Sequence, residues 1–161
     1  MTAPSIVDHA DSLRVWREAD TIPEIEHAWL HDHLMPIGGD QSGPTHEGWT
    51  LLSALAAQTQ RLRLGLLVTS NRFRPPAMLA KIAATVDIFS RGRLDFRIGA
   101  NSRPSHPLAR REYESHGLPF HDSAHAGGES CRGVHSRPAV VDRDRTVRLS
   151  EWRITTYIGP P

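Results

Sequence analysis

R-L-R-L-G-L-L-V-T-S-N-R-F-R-P-P-A-M-L-A-K-I-A-A-T-V-D-I-F, residues Arg61 to Phe89, is the stretch on which the fold turns. After two alternating arginines, Leu62, Leu64, Leu66, Leu67 and Val68 make an almost unbroken apolar run. Such a run suits a strand covered on both faces, as in a parallel sheet. Thr69, Ser70 and Asn71 read as a polar loop. Pro75-Pro76 stops a strand and opens a helix, because the fixed φ of proline suits the first helical position. Leu79, Ile82, Val86 and Phe89 then recur at helical spacing, and Gly92 stands where a left-handed C-terminal cap is expected. Leu94, Phe96 and Ile98 alternate into Gly99 as a second strand. The pattern is strand, loop, helix, strand, a right-handed parallel crossover. Units of this kind bind ligands at the C-terminal ends of their strands. The Thr69–Arg74 loop and the Ile98–Ser102 turn both fall there.

The flanking sequence extends the pattern. Ser12 to Asp20 reads as a helix broken by Pro23, and Ile6-Val7 before it is at most a strand stub. Ala28-Trp29-Leu30 leads as a short strand into His31-Asp32-His33. Trp49 to Gln60 is an amphipathic helix with Leu52, Leu55 and Ala56 inward. Repeated β/α units place the chain in the α/β class. This pattern fits a doubly wound sheet and a barrel equally. Gly38-Gly39 leads into Asp40 and a loop, not a helix, which counts against a dinucleotide fingerprint. Leu108 to His116 reads as one more short helix, capped by Gly117. Beyond Ala126 neither a twofold nor a 3.6-residue repeat continues.

Composition narrows the function classes. The 161 residues carry a net charge of +1, which gives no support to nucleic-acid or polybasic membrane binding. Cys131 is the only cysteine, so an intrachain disulfide and a cysteine zinc site are excluded. The first residues lack the features of a signal peptide, and no apolar run approaches a span of roughly 20 residues. A soluble cytoplasmic protein is the expectation.

Several side chains carry two readings. His31 and His33, an H-x-H pair at a strand end, could begin a metal site or could be ordinary surface histidines. His121 and His125 have a chelating spacing but no credible helix. Arg72 and Arg74 suit a phosphate or cofactor tail, or a solvated loop. Trp16, Trp29 and Trp49 suit the core better than a stacking platform. Glu47 suits the N-terminus of the following helix better than catalysis.

Four segments, 16–37, 47–69, 74–94 and 102–120, resemble in order the luciferase-like monooxygenase superfamily, in particular oxidoreductases that use the deazaflavin coenzyme F-420. They include W-R-E-A-D-T-I-P-E-I-E-H-A-W-L-H-D-H-L-M-P-I and R-P-P-A-M-L-A-K-I-A-A-T-V-D-I-F-S-R-G-R-L. The resemblance implies a (β/α)8 barrel, a TIM barrel, of roughly 250 residues. Residues 1–122 would then supply its N-terminal half, with strands two to four clearest. Residues 123–161 would be an irregular tail. Asp32-His33 is similar to the family's D-H pair at the end of the second strand, where the histidine lies against the cofactor ring as an acid/base group. Leu67-Val68 is similar to the family's non-prolyl cis peptide, a bulge that backs the ring, with Thr69 and Ser70 beside the ring edge. Arg97-Ile98-Gly99-Ala100-Asn101 stands where the family usually has G-I-G-A-G. Gly99 would therefore face the cofactor, and Arg97 would carry a charge into the barrel.

The resemblance thus implies Asp32 and His33 as catalytic residues and Leu67, Val68, Thr69, Ser70 and Gly99 as cofactor contacts. It implies coenzyme F-420 before FMN, and a small organic substrate that is reduced, oxidised or oxygenated. Homodimerisation stays open; nucleic acid and membrane are not expected partners. Two other readings stand beside it: a fragment of such an enzyme without turnover, and a metal-dependent amidohydrolase-type barrel. The tail has its own reading. Permitted codons for Gly128 to Leu149, read one base later, give E-S-L-A-E-A-C-T-V-V-R-R-L-W-T-E-T-E-P-F-D. That is an amphipathic helix followed by a family-like segment. Residues from about 127 onward are therefore expected to be out of frame.

Overall fold

The computed structural model describes residues 1–3, 8–38, 40–99 and 106–120, with the short segments 139–141, 147–149 and 155–157. Ile6-Val7, Ala100, Asn101, Ser102, His121, His125 and Cys131 lie outside the described residues, as does most of the tail.

Helix α1 spans His9–Thr21, capped by the Asp8 carboxylate, which accepts from the Ala10 N–H at 2.8 Å. It ends two residues before Pro23, which lacks the N–H that a continuing helix needs. Strand β2, His27–Leu30, lies between β1, Thr2–Ala3, and β3, Arg63–Leu66, and all three run parallel. The first strand is thus real, but its paired residues lie before the Ile6-Val7 stub. Helix α2, Gly48–Gln58, crosses from β2 to β3.

The expected strand over Leu62–Val68 is two strands. β3 stops at Leu66, the Leu67–Val68 peptide is cis, and β4, Thr69–Ser70, resumes. Thr69 and Ser70 are therefore not loop. They pair in parallel with Ile98 and Gly99 of β5, Arg97–Gly99. The bulge turns the backbone so that β3 keeps β2 as neighbour while β4 takes β5. Leu64 still bridges to Leu94, so the two sheets meet along one line. The alternation Leu94, Phe96, Ile98 becomes strand only from Arg97.

Helix α3, Pro76–Ser90, opens at Pro76 as read from the sequence and closes with Arg91 and Gly92 both at positive φ, 59° and 81°. Its apolar face departs from the reading at one residue. At 3.6 residues per turn Ser90 returns to within about 20° of Leu79, whereas Phe89 stands about 80° away. Ser90 is accordingly buried and Phe89 is 55% exposed. Helix α4, Pro107–Ser115, follows, with Gly117 at φ 66° just beyond it. In the tail, β6 (Ala139–Val141) and β7 (Val147–Leu149) pair antiparallel, and β8 (Thr155–Tyr157) lies parallel to β5.

The core lies between the sheet and helices α1 to α3. Leu30, Leu64 and Leu66 meet Trp16, Leu52, Leu55 and Val86, all essentially without exposure. Each such side chain contributes about 1.5–3 kcal/mol when fully buried. Arginines close the helix ends. Arg61 donates to the carbonyls of Ala19, Ile22 and Ile25 after α1. Arg93 donates to those of Ala56, Thr59 and Leu62 after α2. The planar guanidinium fork thus gives the carbonyls at and beyond each helix end a charged donor. Arg97 alternates with the core residue Ile98 and projects from the sheet face that turns away from the helices. It is exposed, and its guanidinium lies 4.5 Å from the centroid of the Trp29 ring.

Candidate cofactor site

Asp32-His33 follows β2 and the Leu67–Ser70 bulge follows β3. Parallel strands place both at the same, C-terminal edge. The Asp32 side chain is fully covered and holds this edge together. Its Oδ2 accepts from Thr69 Oγ1 at 2.8 Å, the Ser70 N–H at 2.9 Å and Arg74 at 2.8 Å. Its Oδ1 accepts a second Arg74 N–H at 2.8 Å. A covered carboxylate of this kind persists because four donors replace its water.

Arg74 is only 10% exposed and also bonds Glu47, so it belongs to no solvated loop. Burial alone would lower its pKa; pairing with Asp32 and Glu47 overrides that and raises it. Glu47 caps α2 by accepting from the N–H groups of Trp49 and Thr50. Burial works to raise its pKa, but Thr50 and Arg74 outweigh it and leave the carboxyl below its usual range. The N-terminus of α2 comes this close because Gly48 has no side chain. A Cβ there would lie 3.0 Å from the His31 carbonyl and 3.3 Å from Asp32 Cα. Trp49 sits in the core and donates its indole N–H to Thr69 Oγ1 at 2.8 Å.

The bulge presents two faces. Leu67 is 38% exposed, while its N–H continues the sheet by donating to Leu30 at 2.8 Å. Val68 packs on Gly99, where an added Cβ would stand 2.5 Å from Val68 Cγ2. Gly99 thus makes room for the bulge itself.

Helix α4 brings in two residues that the sequence reading did not single out. Glu112, buried, has its carboxylate 3.1 and 3.2 Å from His33 Nδ1 and accepts the Leu34 N–H at 2.6 Å. Tyr113 hydrogen-bonds through its hydroxyl to Ser70 Oγ at 3.2 Å and packs between Phe73 and Phe120. Burial raises the Tyr113 pKa, so the phenol stays protonated. In the sequence Glu112 is one charge among the arginines and glutamates of R-R-E-Y-E. It lies 79 residues from His33, so local pattern could not pair them. The adjoining Tyr113, an aromatic on a charged helix, was the one available signal.

The result is a closed circuit. Asp32 bonds Ser70, Ser70 bonds Tyr113, Tyr113 adjoins Glu112, and Glu112 bonds His33, the neighbour of Asp32. His33 itself is 31% exposed. The H-x-H partners His31 and His33 have ring centroids 6.3 Å apart, and the described residues hold no group of three or more potential metal ligands. The exposed apolar bulge, the hydroxyl of Ser70 and the imidazole of His33 fit a flat heteroaromatic ring with a polar edge. In such a site the bulge would back the ring and His33 would meet its edge.

Parallel strand–helix units with a ligand edge at the strand C-termini define the class: part of a β/α barrel, open in the described residues. The chain belongs to the luciferase-like monooxygenase family, whose profile matches residues 14–135. It is 44% identical over 59 residues to a phthiodiolone/phenolphthiodiolone dimycocerosates ketoreductase of Mycobacterium sp. (strain JLS), a match covering 35% of this chain and 16% of that protein. It is 25% identical over 145 residues to 4-hydroxyprotoasukamycin monooxygenase of Streptomyces nodosus subsp. asukaensis, covering 87% of this chain and 36% of the relative.

Solved structures share the fold. A monooxygenase from Streptomyces bottropensis superposes with TM-score 0.65 and 24% identity over 92% of this chain and 46% of its own. The coenzyme F-420-dependent tetrahydromethanopterin reductase of Methanopyrus kandleri gives 0.56 and 21%, over 74% and 30%. The oxygenating constituent of 3,6-diketocamphane monooxygenase from Pseudomonas putida, in complex with FMN, gives 0.59 and 18%, over 77% and 32%. The chain spans less than half the length of each of these proteins.

Proposed function

We propose that this chain carries the ring-binding part of an oxidoreductase that uses coenzyme F-420, or alternatively FMN, on a small organic substrate. The observation that supports it most is the circuit joining Asp32, Ser70, Tyr113, Glu112 and His33 around the cis bulge. When bound, the deazaflavin or flavin supplies the hydride or the electrons that activate oxygen. The protein's part is orientation and proton handling. Leu67 and Val68 back the ring, with Gly99 seating Val68. Asp32, held by Arg74, fixes the edge as a scaffold carboxylate. His33 handles the proton: Glu112 occupies Nδ1, so exchange with the ligand falls to Nε2. Thr69 and Ser70 order the ring edge.

Both cofactor types occur among the structural neighbours, and the ordered segments favour the deazaflavin. The test is titration of the purified chain with coenzyme F-420 and with FMN, followed by cofactor fluorescence. Micromolar binding of one, weakened at least tenfold in Leu67→Asp, is the expected result. A folded chain that binds neither cofactor supports the alternative, a fragment without turnover. The open sheet of the described residues is the observation that favours that alternative.

A further inference from the structure

We propose that Glu112 is a positioning residue for His33, fixing the imidazole as the Nδ1–H tautomer. The carboxylate is 4% exposed and reaches His33 Nδ1 with both oxygens, at 3.2 and 3.1 Å. It cannot rotate away, because Oε1 also accepts the Leu34 backbone N–H at 2.6 Å. That bond ties it to the residue after His33, so the acceptor and the ring it orients move together. A carboxylate can only accept, so the shared proton sits on Nδ1 and the Nε2 lone pair is left for a ligand.

The other charged and titratable groups around His33 do not duplicate this. Asp32, its chain neighbour, is neutralised by Arg74. His31 offers a ring at 6.3 Å, and Tyr113 commits its hydroxyl to Ser70. Arg111, beside Glu112 on α4, donates instead to Gln41. Helix α4 is therefore part of the site, although it lies 79 residues away in sequence. The catalytic meaning of the dyad rests on the proposed function. The dyad itself does not, and it is measurable without any cofactor.

The test is nitrogen-15 imidazole NMR of the full chain, with His33 assigned through His33→Gln. The expected wild-type spectrum shows neutral His33 almost wholly as the Nδ1–H tautomer. Glu112→Gln keeps an acceptor for Leu34 and should fold, but it removes the charge. Its expected effect is a shift of neutral His33 toward the Nε2–H tautomer, because the amide NH2 then faces Nδ1, while Glu112→Asp keeps the Nδ1–H form. A wild-type His33 in the Nε2–H tautomer, or an unchanged tautomer in a folded Glu112→Gln, overturns the proposal. Should Glu112→Gln not fold, the wild-type tautomer decides alone. Failure of cofactor binding with the dyad intact would overturn the functional reading and leave this one standing.

Discussion

Arg74 illustrates how a single residue acquires meaning from burial. Its guanidinium bonds both oxygens of a carboxylate that has no access to water. Removing it leaves Asp32 charged and uncompensated, which costs about 3–5 kcal/mol in comparable buried pairs. Arg74→Ala is expected to lose that much in urea unfolding. Arg74→Lys is expected to lose less, because the charge stays while the planar two-point contact goes. If Arg74→Ala unfolds within 1 kcal/mol of wild type, Asp32 is not held as described. Asp32 and His33 could be singled out from the sequence because they resemble the family's D-H pair at a strand end. Arg74 could not be, since R-F-R-P-P reads equally as solvated loop or anion clamp, and only the fold supplies its carboxylates.

At the scale of elements, the join between β3 and β4 depends on a void at Gly99. An alanine there would place its Cβ 2.5 Å from Val68 Cγ2, so the bulge or β5 must shift. Overpacking of this kind costs typically about 1–3 kcal/mol. Gly99→Ala should therefore lower the unfolding midpoint, and Val68→Ala added to it should recover part of the loss. A double variant that is additive, with no recovery, would show the two residues do not compete for the same space. Gly65 is tighter still: its Cβ would meet the Asp95 carbonyl and come 2.7 Å from Trp29 Cζ3. In the sequence Gly65 sits inside an apolar run and Gly99 at a strand end, and a close approach is a usual reason for a strand glycine. Which atom approaches is a property of the neighbouring strand.

For the molecule as a whole, carboxylates set the acid limit. Burial works to raise Asp20, but the N–H groups of Leu62, Gln60 and Arg61 outweigh it, and its pKa is lowered from 3.8. Glu47 is likewise lowered from 4.5. Groups with depressed folded values contribute stability above their unfolded pKa and lose it as pH falls through the folded one. Asp87 opposes them, because burial raises it, so its protonation in acid is a relief. The balance predicts a unfolding midpoint that drops as pH falls below 4.5, measured in urea at a pH series. A midpoint that rises there would show Asp87 dominating. The same whole-chain scale holds the tail. We propose that residues from about 127 are read out of frame. The DNA around codon 127 should then carry the remaining barrel sequence in the second frame, and stop codons there would end that proposal. Among the described residues no helix is long and apolar enough to cross a membrane.

By itself the sequence determined the α/β class and the order of helices, because periodicity, proline and glycine act within a few residues; the bulge was expected only from the family resemblance of four ordered segments. It also placed Asp32, His33 and the Leu67–Ser70 stretch at strand ends, which parallel strands bring to one edge. Tertiary structure alone decided that Thr69 and Ser70 are strand, that Phe89 faces out and that Arg97 lies on Trp29. It alone joined Glu112 to His33 and Arg74 to Asp32. Those contacts cross 79 and 42 residues of chain. A charged side chain looks the same in sequence whether its partner is water or a buried counter-ion, and only the packed fold makes that choice.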